Sequence, residues 1–214
     1  MKKWIFVVVL WFLGFSLIAQ KPFDLQTGDI LFQTNKARTS FVKAIENVTL
    51  SLDNLDFSHV GVAYWEDGEI YILEAVPPKV SKTPLEKYLK QSKWVDGNPV
   101  VVVERLKRRY RKCIPEAIEK MKSLIGKPYD YVFSPDNDDY YCSEIIWLAF
   151  RKKNGQPIFD ARPMSFKDKV TGETNPYWIE HFEKHHVPVP EGVPGTSPGD
   201  MSRSRTLQVV HRYF

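Results

Sequence analysis

Cys142 and His59 are the two residues of this 214-residue chain whose types and settings best suit covalent chemistry. A thiol attacks a carbonyl as its thiolate, and a helix N-terminus favours that form through unpaired backbone N–H groups and the positive end of the dipole. Ile145, Ile146, Leu148, Ala149 and Phe150 predict a helix over residues 142–151, which puts Cys142 in its first turn. The same free N–H groups are natural donors to the oxyanion that forms when a carbonyl is attacked.

Such a thiol needs a base. Of the five histidines, His59 lies in a clean strand pattern, where alternation puts His59, Gly61 and Ala63 on one face. Asp67-Gly68 is a strong two-residue hairpin signal. With those two residues as the loop, Gly61 faces Glu74 and His59 faces Val76, so Glu74 is diagonal to His59 on the same side. Diagonal neighbours are about 7 to 8 Å apart at Cα, close enough for a carboxylate to hold an imidazole. Gly61 leaves room for that contact, and a carboxylate in the apolar run 70–76 is costly unless paired. The pattern alone also fits a histidine satisfied within a core and a glutamate at a sheet edge or in another ion pair.

The elements that must position these residues form an α+β arrangement. Short β-branched and aromatic runs predict strands over 29–33, 58–65, 70–76, 100–105 and 207–213, making a mostly antiparallel sheet. Thr83-Pro84-Leu85-Glu86 reads as an N-cap, a proline in the first turn and a capping-box glutamate before a short helix. A clearer helix spans 115–125, with Ile118, Met121 and Ile125 at helical spacing and Gly126 as the stop. The last third, with Pro188, Pro190, Pro194 and Pro198, reads as looser.

Residues 1–19 have the basic start, apolar run and small-residue end of a cleaved signal peptide, leaving one domain over 20–214. Removal of Lys2 and Lys3 lowers the formal charge from +4 to +2, which argues against a nucleic-acid partner. Export to an oxidising compartment makes a Cys113–Cys142 disulfide an alternative to a catalytic thiol. Asp136, Asp138 and Asp139 lack the pattern of a calcium loop, and His181 and His185 lack that of a zincin, so no metal is expected. The basic run 107–112 reads as a solvated loop with possible envelope contact. Tyr129, Tyr131 and Tyr141 flank the thiol in sequence; Tyr141 is a candidate for substrate binding.

Five segments, in this order and spacing, carry a family resemblance. They are Gly28-Asp29-Ile30-Leu31-Phe32, Phe57-Ser58-His59-Val60-Gly61-Val62, the strand bearing Glu74, Gly126-Lys127-Pro128-Tyr129-Asp130, and Tyr140-Tyr141-Cys142-Ser143-Glu144. The chain resembles the YiiX/YebB-like hydrolases, in the permuted branch of the NlpC-type papain-fold superfamily related to lecithin retinol acyltransferase. The resemblance implies a papain-like core in which the histidine strand precedes the cysteine helix, with Cys142 as nucleophile, His59 as base and Glu74 as the polar third residue. Asp29, in the first matching segment, joins Tyr141 as a substrate-binding candidate.

Together these readings describe an exported cysteine hydrolase that needs no cofactor and works through an acyl-enzyme. Its expected substrate is an amide of cell-wall peptide. The alternatives are hydrolysis or transfer of an acyl-lipid or N-acyl amide, and a non-catalytic envelope-binding domain closed by the disulfide. The sequence leaves oligomeric state open.

Overall fold

Six antiparallel strands form the central sheet, in the order Leu207–Arg212, Val101–Leu106, Ile30–Gln33, His59–Glu66, Glu69–Val76 and Lys79–Pro84. The computed structural model describes residues 23–37 and 39–214, so the leader expected over residues 1–19 lies outside the described residues. The hairpin forms as its turn chemistry predicts. Asp67 and Gly68 take φ of 52° and 84°, the left-handed pair that a type I′ loop requires. Pairing then runs from Glu66 with Glu69 to Val62 with Leu73. This register carries Gly61 opposite Glu74, although the ladder itself ends at Val62.

The strand Lys79–Pro84 was not expected. Only Val80 and Thr83 are buried in it, and Lys79, Lys82 and Pro84 give the polar composition of a protected edge. Thr83 is correspondingly no helix cap. It pairs with Ile72 in the ladder, and Pro84 occupies the cap position of helix Leu85–Gln91 without a side-chain bond.

Alternation along the strands divides the sheet into two faces. Phe32, Val60, Val62, Leu73, Ala75 and Val102 face the larger core, which the helices Ile114–Ser123, Cys142–Ala149 and Pro176–Lys184 complete. Leu31, Ala63, Ile72, Val101 and Val103 face a smaller core closed by Tyr88 and Leu25. Tyr88 is fixed there by donating its hydroxyl hydrogen to the Leu31 carbonyl at 2.7 Å.

Two further helices, each only nine residues long, escaped the sequence reading. Ser40–Val48 is capped by Thr39, which accepts from Val42, and Pro176–Lys184 by Asn175, which accepts from Tyr177. In the proline-rich final third, Arg162–Pro163 pairs with Pro194–Gly195, and Pro198–Ser202 forms a short helix. Ser202 accepts a hydrogen bond from the Leu52 amide at 3.1 Å, tying this segment to the first half of the chain.

Gly61 is the tightest point of the sheet. A Cβ there would lie 2.4 Å from the Ile72 Cγ2 and 3.4 Å from the Glu74 Cβ, and Ile72 is fully buried. Gly61→Ala should therefore lower stability by about 1–3 kcal/mol through overpacking. The measurement is a urea unfolding midpoint; an unchanged midpoint at constant m would contradict this account.

Candidate active site

The cysteine helix begins at the thiol. Tyr141 is extended at the cap position, and the first amide to reach back along the chain is that of Ile145, which donates to the Tyr141 carbonyl at 3.3 Å. The amides of Cys142 and Ser143 therefore precede the first helical bond. Glu144 accepts from the Tyr141 amide at 3.3 Å, which steadies the turn. Ile145 and Ile146 are fully buried against the sheet, each contributing roughly 1.5–3 kcal/mol. That burial holds the helix start, and with it Cys142, at the end of the histidine strand.

His59 Nε2 lies 2.5 Å from Glu74 Oε2, with His59 buried and Glu74 wholly enclosed. The His59 ring also lies beside Tyr88, with centroids 5.8 Å apart. The Cys142 side chain is close enough to His59 to raise the basicity of the imidazole. Burial alone lowers the basicity of His59, but the bonds to Cys142 and Glu74 and the negative charge of both overcome it, raising the imidazole from 6.5 to about 10. Glu74 Oε1 has no hydrogen-bond partner. The imidazole is thus the hydrogen-bond partner that this enclosed carboxyl group has.

The structure treats the other candidates differently. Tyr141 is buried, its hydroxyl oxygen accepts from the Thr196 amide at 3.2 Å, and its ring lines the cleft beside Cys142. Asp29 is not brought to that cleft. Both of its oxygens are bound by Arg105, at 2.6 and 2.7 Å, and one also accepts from the Gln26 amide. Its carboxylate clamps the first strand to Val101–Leu106.

The disulfide alternative is corrected: Cys113 and Cys142 are both free thiols. Cys113 ends the 3₁₀ segment Arg108–Cys113 and donates to the Tyr110 carbonyl at 3.2 Å. It lines a separate groove with Arg109, Lys112 and Arg151, and burial pushes its thiol up to about 11. Asp138 is engaged by Lys127 and by the Tyr140 hydroxyl. His181 shares its Nε2 with the Tyr131 carbonyl at 2.7 Å within an aromatic cluster.

Several residues around the thiol carry no local signature. Ser58 accepts from the Asn35 amide, and Thr196 donates to the Ser143 hydroxyl at 3.1 Å. Gln33, paired with His59 in the neighbouring strand, buries an amide with neither atom hydrogen-bonded. Each comes from a segment remote from Cys142 in sequence.

The arrangement of a base strand followed by a nucleophile helix has counterparts among known proteins. The chain is 30% identical over 183 residues to the uncharacterized protein YiiX of Escherichia coli strain K12, covering 83% of this chain and 84% of that protein. The crystal structure described as metalloprotein yiiX from Escherichia coli O157:H7 matches with a TM-score of 0.70 at 28% identity, covering 87% of this chain and 97% of that one. Residues 24–211 match the family described as permuted papain-like amidase enzyme, YaeF/YiiX, C92 family. With that match spanning nearly all the described residues, the chain belongs to the permuted papain-like amidases of the YaeF/YiiX, C92 family.

Proposed function

We propose that the chain hydrolyses an amide through an acyl-enzyme formed on Cys142, with His59 as proton shuttle and Glu74 as its orienting carboxylate. The observation that carries this is the buried imidazole, bonded to Glu74 through Nε2 at 2.5 Å and near enough to Cys142 for that side chain to raise its basicity. The Cys142 thiolate attacks the carbonyl carbon, and the oxyanion is received by the amides of Cys142 and Ser143. The imidazolium then gives its proton to the leaving nitrogen as the C–N bond breaks. Water, deprotonated by the neutral imidazole, attacks the thioester, releasing a carboxylic acid and restoring the thiol.

Export directed by residues 1–19 belongs to the same proposal, supported by their basic and apolar pattern. The triad acts at the carbonyl, so it serves equally for a cell-wall peptide amide and for an N-acyl amide. A metal, as named for the Escherichia coli O157:H7 relative, does not fit the side chains here. Among the described residues no group of three or more His, Cys, Asp and Glu is placed to hold one.

Two measurements test the reading. Iodoacetamide near pH 7, without reductant, should modify Cys142 at least about tenfold faster than Cys113, and His59→Ala should slow it. Cys142→Ala should abolish turnover. Equal labelling of both thiols would sink the proposal.

The second is a pH profile. His59 is raised, so the imidazolium and the stability it contributes are complete below its ordinary value of 6.5 and are lost as pH rises through about 10. Acylation should fall off over that alkaline range. Glu74→Gln removes the anionic partner, and the alkaline limb of kcat/KM should move down by at least about one pH unit. A limb that stays in place would show that Glu74 does not set the base.

A further inference from the structure

The basic run 107–112 meets a second basic segment in the folded chain. Arg109 and Lys112 share a groove with Arg151, Lys152 and Lys153, against a single carboxylate in the described lining, that of Glu116. The groove spans about 1190 Å³, mouth included, and Arg151 brings it to the end of the cysteine helix opposite the thiol. No described residue lines both this groove and the cleft beside Cys142, so its chemistry is independent of that proposed for the thiol.

Both arginines are held in place by the protein itself. Arg151 Nε donates to the Leu148 carbonyl at 3.0 Å, satisfying one of the open carbonyls of the helix end, and its guanidinium lies 4.5 Å over the Trp147 ring. Arg109 lies 4.8 Å over the Tyr110 ring. Lys152 and Lys153 occupy a tight turn, in which the Lys152 amide donates to the Gln156 carbonyl at 2.7 Å and the Gly155 amide to the Lys152 carbonyl at 2.8 Å. Other cations of this molecule find carboxylates: Arg105 pairs with Asp29, Lys169 with Asp56 and Arg212 with Asp53. Among the described residues, none of the five in the groove has a carboxylate within ion-pair distance. Arg151 is half-buried, and burial lowers its guanidinium below its ordinary value with no anion to offset the loss.

We infer that this groove binds a phosphate-bearing ligand, with the Arg151 and Arg109 guanidinium groups donating to its oxygens and Lys112, Lys152 and Lys153 supplying further positive charge. A guanidinium presents paired N–H donors that match phosphate oxygens, and one already fixed against a carbonyl and a ring loses little freedom on binding. Five cations against one carboxylate suit the double charge and three terminal oxygens of a phosphate monoester better than a single carboxylate. The phosphate belongs either to a soluble ester or to a lipid headgroup, and the two arms of the test separate these sources.

Glycerol 3-phosphate, titrated calorimetrically into the full chain with glycerol as the uncharged control, should bind once per chain and weaken as salt is added. Arg151→Gln should weaken it at least about tenfold. Lys152→Gln combined with Lys153→Gln should weaken it at least about threefold, whereas Lys36→Gln, at an exposed lysine of a different groove, should leave it unchanged. The second arm is co-sedimentation with phosphatidylcholine vesicles with and without phosphatidic acid. Retention that requires phosphatidic acid and is lost in the double lysine variant assigns the phosphate to a lipid; binding of the free ester without such retention assigns it to a soluble ligand. Absence of phosphate-dependent binding in both arms overturns the inference. So does unchanged affinity in the two groove variants, each with the native unfolding midpoint. If Arg151→Gln lowers that midpoint, the lysine pair, on an exposed turn, decides by itself.

Discussion

A carboxylate with no access to water requires a cation, and in this molecule Glu74 finds it in His59. The pair spans two strands of one sheet, and each of its geometric conditions is met by a neighbour. Gly61 keeps the space between the strands free, with Ile72 already against it. Asp67 and Gly68 set the register that brings Glu74 to the correct diagonal. Tyr88, anchored on the Leu31 carbonyl, stands beside the imidazole and closes it from solvent on that side. The pair also reaches the thiol, because Cys142 is among the groups that raise the basicity of His59.

The thiol arrives by a different route. Helix Cys142–Ala149 packs its aliphatic residues into the larger core, while His59 follows the parity of the smaller one. The dyad is therefore assembled at the end of the sheet, where the start of a helix from one side meets the first residue of a strand directed to the other. This explains why the chemistry depends on packing at both faces. It also separates the two cysteines: burial raises the basicity of Cys113, whereas Cys142 neighbours the buried imidazole of His59.

Much of the site was legible because its signals are local. Asp-Gly in a hairpin dictates both turn and register, a period of two assigns His59 and Glu74 to one face, and an apolar run after Cys142 marks a helix start. The strand Lys79–Pro84 was missed since a polar edge strand lacks the burial pattern that identifies strands, and Thr83-Pro84 imitates a helix cap. Asp29 sits in a family-like segment, but Arg105 comes to it from a neighbouring strand and occupies both oxygens. No local pattern announces that ion pair.

By itself the sequence determined the reactive groups and their local settings: a thiol at a helix start, a histidine on a strand, and a glutamate placed by hairpin register. These follow from short-range periodicity and turn geometry, which act within a few residues. Tertiary structure alone decided that the two cysteines stay apart, that Asp29 is a clamp, and that an apolar cleft opens beside Cys142. Those outcomes depend on segments distant in sequence, and the cleft on ones more than a hundred residues apart, such as Ile45 and Val48 with Phe166 and Trp178. Their contact is set by how the helices pack on the sheet, and nothing in the local chemistry of either segment prescribes it.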